Sequence, residues 1–395
     1  MTMTQKPLLP LRTFMFFVSA IGSMVVSFLP IYFQHKGFSS SQIGWFLAIG
    51  PLVGLIAQPL WGYASDKYKT VKKILFACLL GFFVSVIWLF QIDSFLWIII
   101  AGAFFFFFFS PVNPLADNLA KRQSQLHSVT FGSIRMWGSI GFALVALLSG
   151  YLLSIFGIGF LVIPITILAI TTCLLSLILS DVKAGTRKVY YKDIGLIFKD
   201  PTLVAFFLLI ALVMLTHRTN DSFISLYLFE IGGNEMLVGW IWFIGVSSEA
   251  LLFFLSGRWF RASNPIIYII IAAALFCVRW ILTALVNDPS MLLIVQVLHG
   301  ICFAIVFLGA IEYLYKMVPE ELQATGHMVF VGISFGITGI IGSSLGGIVF
   351  ENYGGSTLYF LLACSSLLGM IGFIFFYKKE KKFQVKQVKG IEGVR

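Results

Sequence analysis

The chain has 395 residues, of which 59% are hydrophobic and only 11% charged. A water-soluble domain carries about 25% charged residues. A soluble fold is therefore excluded, and a bilayer admits only helices or a closed barrel. The net charge of +10 invites a nucleic-acid partner, which the placement of the charges removes.

Apolar segments of spanning length fall at 10–33, 42–65, 72–93, 95–119, 130–153 and 155–180. Six more follow at 202–230, 237–257, 265–286, 290–314, 327–350 and 356–377. Uninterrupted runs of about 20 apolar residues read as helices, because barrel strands alternate polar and apolar. The first segment is too long for a cleavable signal, so twelve transmembrane helices are expected. Cys78, Cys173, Cys277, Cys302 and Cys364 all lie in apolar stretches without metal-type spacing and read as core thiols. The longest polar connection, Asp181 to Pro201, separates six helices from six. The expected organisation is a six-helix bundle over 1–181, a cytoplasmic linker at 182–201, a second bundle over 202–378 and a basic tail at 379–395.

Sorted by connection, 23 Lys and Arg residues fall on one side of the bilayer, and Lys36 stands alone on the other. By the positive-inside rule both termini are cytoplasmic, in a multi-pass protein of the cell inner membrane. The basic excess is topology signal, so no nucleic-acid partner is expected.

The halves repeat. "YFQHKGFSSSQIGW" (Tyr32–Trp45) and "YLFEIGGNEMLVGW" (Tyr227–Trp240) agree at the tyrosine, both glycines and the tryptophan, at a constant offset of 195. The same offset brings Gly62 onto Gly257 and Asp117 onto Glu312. A parallel duplication of six helices is a transporter architecture.

After the second span, "GYASDKYKTVKK" resembles the signature loop of major facilitator transporters in Gly62, Asp66, Lys67, Lys72 and Lys73. Lys69 stands where that pattern has glycine, and Val71 where it has a basic residue. In the family this loop latches neighbouring helix ends through charge and helix-dipole contacts. The ordered set "PLADNLA", "FGSIRMWGSIGF", "VRW" and "LHGICFA" resembles the branch containing lactose permease and the phenylpropionate permeases, over essentially the whole chain. The resemblance implies a major facilitator fold in which Asp117 and Arg135 grip the substrate. It further implies that Arg279 and His299 serve binding and proton coupling. One departure is plain: the family's coupling glutamate, one turn after that histidine, is Cys302 here. Glu249 lies in the region of helix 8 where a carboxylate is expected.

Depth along the helices supports the same set. Asp117 stands four residues before the connection of helices 4 and 5, and Arg135 about seven beyond it. At 1.5 Å per residue both lie about 6 to 11 Å inside the helix ends. Glu249 is near the middle of helix 8, and Arg279 and His299 reach comparable depth from the outer side. Helix 7 adds "THRTND" (Thr216–Asp221), which has no charged counterpart in the first half. Buried charges of this kind are expensive and mark pathways or pairs. Blander readings stand beside each. Asp117 would cap a helix end near Lys121, and Arg218 and Asp221 would neutralise each other at i,i+3. Glu312 would be an end residue near Lys316, and His299 a satisfied core histidine. The glycines from Gly332 to Gly347 read as close helix packing. The G-x-S-x-G at Gly332–Gly336 lies within a helix rather than a strand-to-helix elbow and is set aside.

The expectation is a secondary transporter of a small organic solute working by alternating access, with substrate-binding residues Asp117, Arg135, Arg279 and His299. Proton-driven symport would use Glu249, His299 and Asp221, since histidine titrates near neutral pH. No cofactor or metal is expected beyond the proton gradient, and the partners are the small-molecule substrate, protons and the lipid bilayer, around a monomer. Phenylpropionate-, oligosaccharide- and nucleoside-like solutes all remain open. The alternatives are a proton-driven efflux carrier or a uniporter and, more remotely, a polytopic membrane enzyme or receptor.

Overall fold

A computed structural model of the chain describes residues 8–181, 195–261 and 264–392. Lys6, Lys183, Arg187, Lys188, Lys192, Arg395 and most of the expected linker lie outside them. The described residues form helices long and apolar enough to span a bilayer, without a strand. The first half comprises α1 (Leu9–His35), α2 (Ser40–Lys67), α3 (Lys72–Phe90), α4 (Phe95–Leu126), α5 (Phe131–Phe156) and α6 (Ile158–Ile178). The second begins with α7 (Pro201–Glu230), α8 (Glu235–Phe254), α9 (Pro265–Leu285) and α10 (Met291–Met317). A last apolar stretch, Thr325–Lys381, is broken by Gly354 at φ 79° into α11 (325–353) and α12 (355–381). Twelve spans result, as the hydropathy pattern predicts.

The duplication is visible in backbone detail. Gly37 and Gly232 close α1 and α7 at φ 87° and 89°, a region glycine enters without a Cβ penalty. Ser39 and Asn234, again 195 apart, cap α2 and α8 by accepting the N–H of Gln42 and Leu237. Packing repeats likewise: α2 on α4 and α3 on α4 in the first half match α8 on α10 and α9 on α10 in the second.

One boundary differs from expectation. α4 continues to Leu126, through Lys121 and Arg122, instead of stopping near 119. Lys, Arg and Gln are good helix formers, so the basic residues mark the bilayer edge while the helix runs on. α4 is also interrupted at Ser110–Pro111, where proline cannot donate to the preceding turn. That break sets the direction of the segment carrying Asp117.

The halves meet along α2–α11 and α5–α8. A Cβ on Gly44 would lie 2.3 Å from the Ser343 carbonyl oxygen and 3.0 Å from Gly347 Cα. A Cβ on Gly150 would lie 2.7 Å from the Glu235 carbonyl oxygen and 2.9 Å from Gly239 Cα. Both approaches sit at the helix ends remote from the basic loops. There Glu351 Oε2 also accepts the Ser39 hydroxyl at 2.7 Å and the Ser41 N–H at 2.9 Å. Toward the basic end Gln58, Pro59 and Leu60, which together face most directions around α2, are all exposed. The halves are in close contact at the ends remote from the basic loops, and α2 is exposed on several faces toward the basic end.

Candidate functional site

Charged side chains from both halves lie close enough to act on one another. In the first, the Arg135 Nε lies 3.0 Å from Asp117 Oδ1, joining α5 to α4, with side chains 39% and 38% exposed. The two residues stand at different distances from their helix ends, and the length of the arginine bridges the gap. Asp117 is therefore no terminal cap: the chain stays helical for nine further residues to Leu126.

In the second half the charges lie deeper. Asp221 Oδ2 takes the Arg218 Nη1 at 2.8 Å, and the His217 Nε2 stands 3.6 Å from the same oxygen. The neutralising i,i+3 pair therefore forms, but Asp221 serves His217 as well. The His217 ring stacks on Phe303 at 4.6 Å and lies 5.1 Å from the ring of His299. Arg279, 1% exposed, donates from Nη2 to Gln296 Oε1 at 3.0 Å and to His299 Nδ1 at 3.1 Å. A guanidinium only donates, so His299 Nδ1 accepts and the proton of the neutral ring is on Nε2. His299 is thus a held, oriented imidazole, not an isolated core residue. Beneath Arg279 the Trp280 ring lies 4.3 Å away, a cation–π contact.

Glu249 on α8 completes the set. It makes no ion pair or hydrogen bond among the described residues, yet Asp221 of α7 and Arg135 of α5 both act on it electrostatically. Its backbone is held against α10, where a Cβ on Gly300 would fall 2.0 Å from the Glu249 nitrogen. Cys302 is a fully buried thiol.

The donor atoms of His217, Asp221 and His299 lie within 4.8 Å of one another, a spacing a metal ion could use. Arg279 and Arg218 already donate to His299 and Asp221, however, and two guanidinium charges at that range oppose a divalent cation. The arrangement suits proton and anion chemistry.

The signature loop lies apart from these charges. Asp66 and Lys67 are exposed, and no ion pair among the described residues involves Asp66, Lys67, Lys72 or Lys73, with Gly62 in α2 just before them. The N-terminus of α3 is instead held by Asp181, at the end of α6, which accepts the Thr70 hydroxyl and the Val71 and Lys72 N–H groups. Glu312, the repeat partner of Asp117, pairs with Lys316 on its own helix at 3.9 Å. The glycines of α11 pack as expected: Gly342 on Thr219, Gly346 on Phe223 and Gly347 on Gly44. The segment Gly332–Ile337 is a π-turn within the helix.

Sequence reasoning did not single out His217, Gln296 or Asp181. Gln296 is three residues before His299 and so shares its helix face, a signal the sequence carried. Asp181 carried none, because its role depends on the packing of α6 beside α3.

The maltose permease of Geobacillus stearothermophilus is 25% identical over 386 residues, covering 95% of this chain and 96% of that one. The Escherichia coli (strain K12) protein named "Probable 3-phenylpropionic acid transporter" is 25% identical over 87% of this chain and 92% of its own length. The solved structure of the nucleoside transporter NupG superposes with a TM-score of 0.81 at 20% identity, over 94% of this chain and 98% of that one. A model of the MFS_1 like family matches residues 8–362, so the chain belongs to that family and is a major facilitator transporter of the lactose permease-like branch, a multi-pass secondary carrier of a small solute and not an enzyme.

Proposed function

We propose that the protein is a proton-coupled symporter that carries a small polar solute across the cell inner membrane by alternating access, as a monomer with both termini in the cytoplasm. The observation that carries this reading is the convergence of charge from both halves on one space. Asp117 and Arg135 approach it from the first half, and Glu249, Asp221, Arg218, His217, His299 and Arg279 from the second. A solute held across that space is gripped by both halves, so its binding is coupled to their rocking.

Glu249, Asp221 and His299 supply the proton-accepting groups in a chain that has Cys302 where the family has a carboxylate. The relatives are named for maltose, 3-phenylpropionic acid and, at fold level, nucleosides. A thermal-shift screen of maltose, 3-phenylpropionate and a nucleoside tests the site, because a ligand of the folded state raises its melting temperature. The reading expects one class to stabilise the protein and Asp117→Asn and Arg135→Gln to abolish the shift. Retention of the shift in both variants would return these residues to a structural role.

A further inference from the structure

We propose that the solute is an organic monoanion, a carboxylate, moved with one proton so that the loaded carrier bears the same charge as the empty one; this rests on the symport reading above.

Among the described residues six charged side chains of the spanning helices form this cluster. They are three arginines (135, 218 and 279) and three carboxylates (117, 221 and 249). Two pairs are in contact: Asp117 with Arg135 at 3.0 Å and Asp221 with Arg218 at 2.8 Å. The remainder is Arg279, without a carboxylate in contact, and Glu249, without a partner among the described residues. They stand on separate helices, α9 and α8. Asp221 from α7 and Arg135 from α5 act on Glu249, and Gly300 of α10 packs on its backbone, with neutral His299 and Cys302 on that same helix. Around Arg279 stand Gln296, His299, Trp280, Cys302, Tyr359 and Asp221. Glu312 and Lys316 form their own pair toward the basic end.

With Glu249 ionised the six charges cancel. Protonation of Glu249 leaves three guanidiniums against two carboxylates in a membrane-embedded site, where net charge is costly. A neutral solute leaves that excess, a cation enlarges it and a dianion overshoots it. One monoanion restores balance, so proton and anion favour each other's binding.

Among the described residues Arg279 Nε and Nη1, Arg218 Nε and Gln296 Nε2 are buried without an acceptor, and Asp117 Oδ1, Asp221 Oδ1 and His217 Nδ1 are buried without a hydrogen bond. A carboxylate brings the acceptors that the unpaired guanidinium and amide donors lack. The Arg135 and Arg218 side chains, 39% and 30% exposed, offer the accessible guanidinium edges, while Arg279 supplies positive field from behind.

The test uses the purified full-length chain with 3-phenylpropionate, benzoate, lactate and gluconate, the amide of each, and maltose. Thermal shifts are read at mildly acidic and mildly alkaline pH. At least one carboxylate is expected to raise the melting temperature, more strongly at the acidic pH, with its amide inert. Arg279→Gln is expected to lose the shift, and Glu249→Gln to keep it with no pH dependence. Silence of every carboxylate, or equal shifts from acid and amide, overturns the proposal. In proteoliposomes, uptake of the binding carboxylate under a pH gradient is expected to ignore an imposed membrane potential. Uptake that rises with inside-negative potential overturns electroneutrality and leaves symport standing. Uptake indifferent to the pH gradient overturns the symport reading and leaves anion binding standing.

Discussion

Asp117 and Arg135 meet at 3.0 Å across α4 and α5, and each side chain still keeps more than a third of its surface exposed. An exposed ion pair contributes about 0–1 kcal/mol to stability, too little to explain two charges within a membrane bundle. Asp117→Asn and Arg135→Gln are therefore expected to shift the unfolding free energy by less than about 1 kcal/mol. Transport should fall by about tenfold or more, the equivalent of at least about 1.4 kcal/mol of substrate contact. Thermal unfolding and initial uptake rates, measured on the same preparations, separate the two effects.

The glycine contacts that close one end give a conformational prediction. No side chain fits at Gly150 without parting α5 from α8, since a Cβ there lies 2.9 Å from Gly239 Cα. Gly150→Leu is expected to shift the population toward the state open at that end, because only the closed state carries the clash. Spin labels on the facing ends of α5 and α8 should report a longer mean distance than in the parent. An unchanged distance would show that the interface tolerates the side chain.

Arg279 yields an unusual stability prediction. Keeping an isolated charge in a low-dielectric interior is costly. Arg279 is 1% exposed and leaves two nitrogens without acceptors. Arg279→Met is expected to melt at or above the parent temperature while uptake is lost. A lower melting temperature would make Arg279 a structural residue.

Asp181 is expected to matter for stability alone. It accepts the α3 N–H groups of Val71 and Lys72, each at 3.1 Å. Loss of a helix N-terminal acceptor costs about 0.5–2 kcal/mol. Asp181→Ala should lower the melting temperature by a corresponding amount, with substrate affinity unchanged in the folded protein.

Much of the architecture is legible in the chain because the bilayer leaves few choices. Twenty-residue apolar runs, the one-sided Lys and Arg, and the repeat anchored on Gly37 and Gly232 suffice for twelve helices in two related halves. α4 outruns its apolar segment because Lys121 and Arg122 end the apolar run and not the helix. In the site, Asp117 and Arg135 are readable as a pair since they flank one short connection. The junction of His217, Asp221, Arg279 and His299 joins three helices, and the angle between helices is written nowhere in a linear pattern. For the same reason the sequence shows Glu249 as an acid at mid-depth but not that it stands without a partner among the described residues.

The central claim is that a proton taken up at Glu249 drives the solute. Uptake into proteoliposomes under an imposed pH gradient, for the parent and Glu249→Gln side by side, tests it most directly. The account predicts accumulation that collapses with the gradient in the parent. In the variant it predicts exchange of solute across the membrane without accumulation. Gradient-driven accumulation that survives in Glu249→Gln would contradict it.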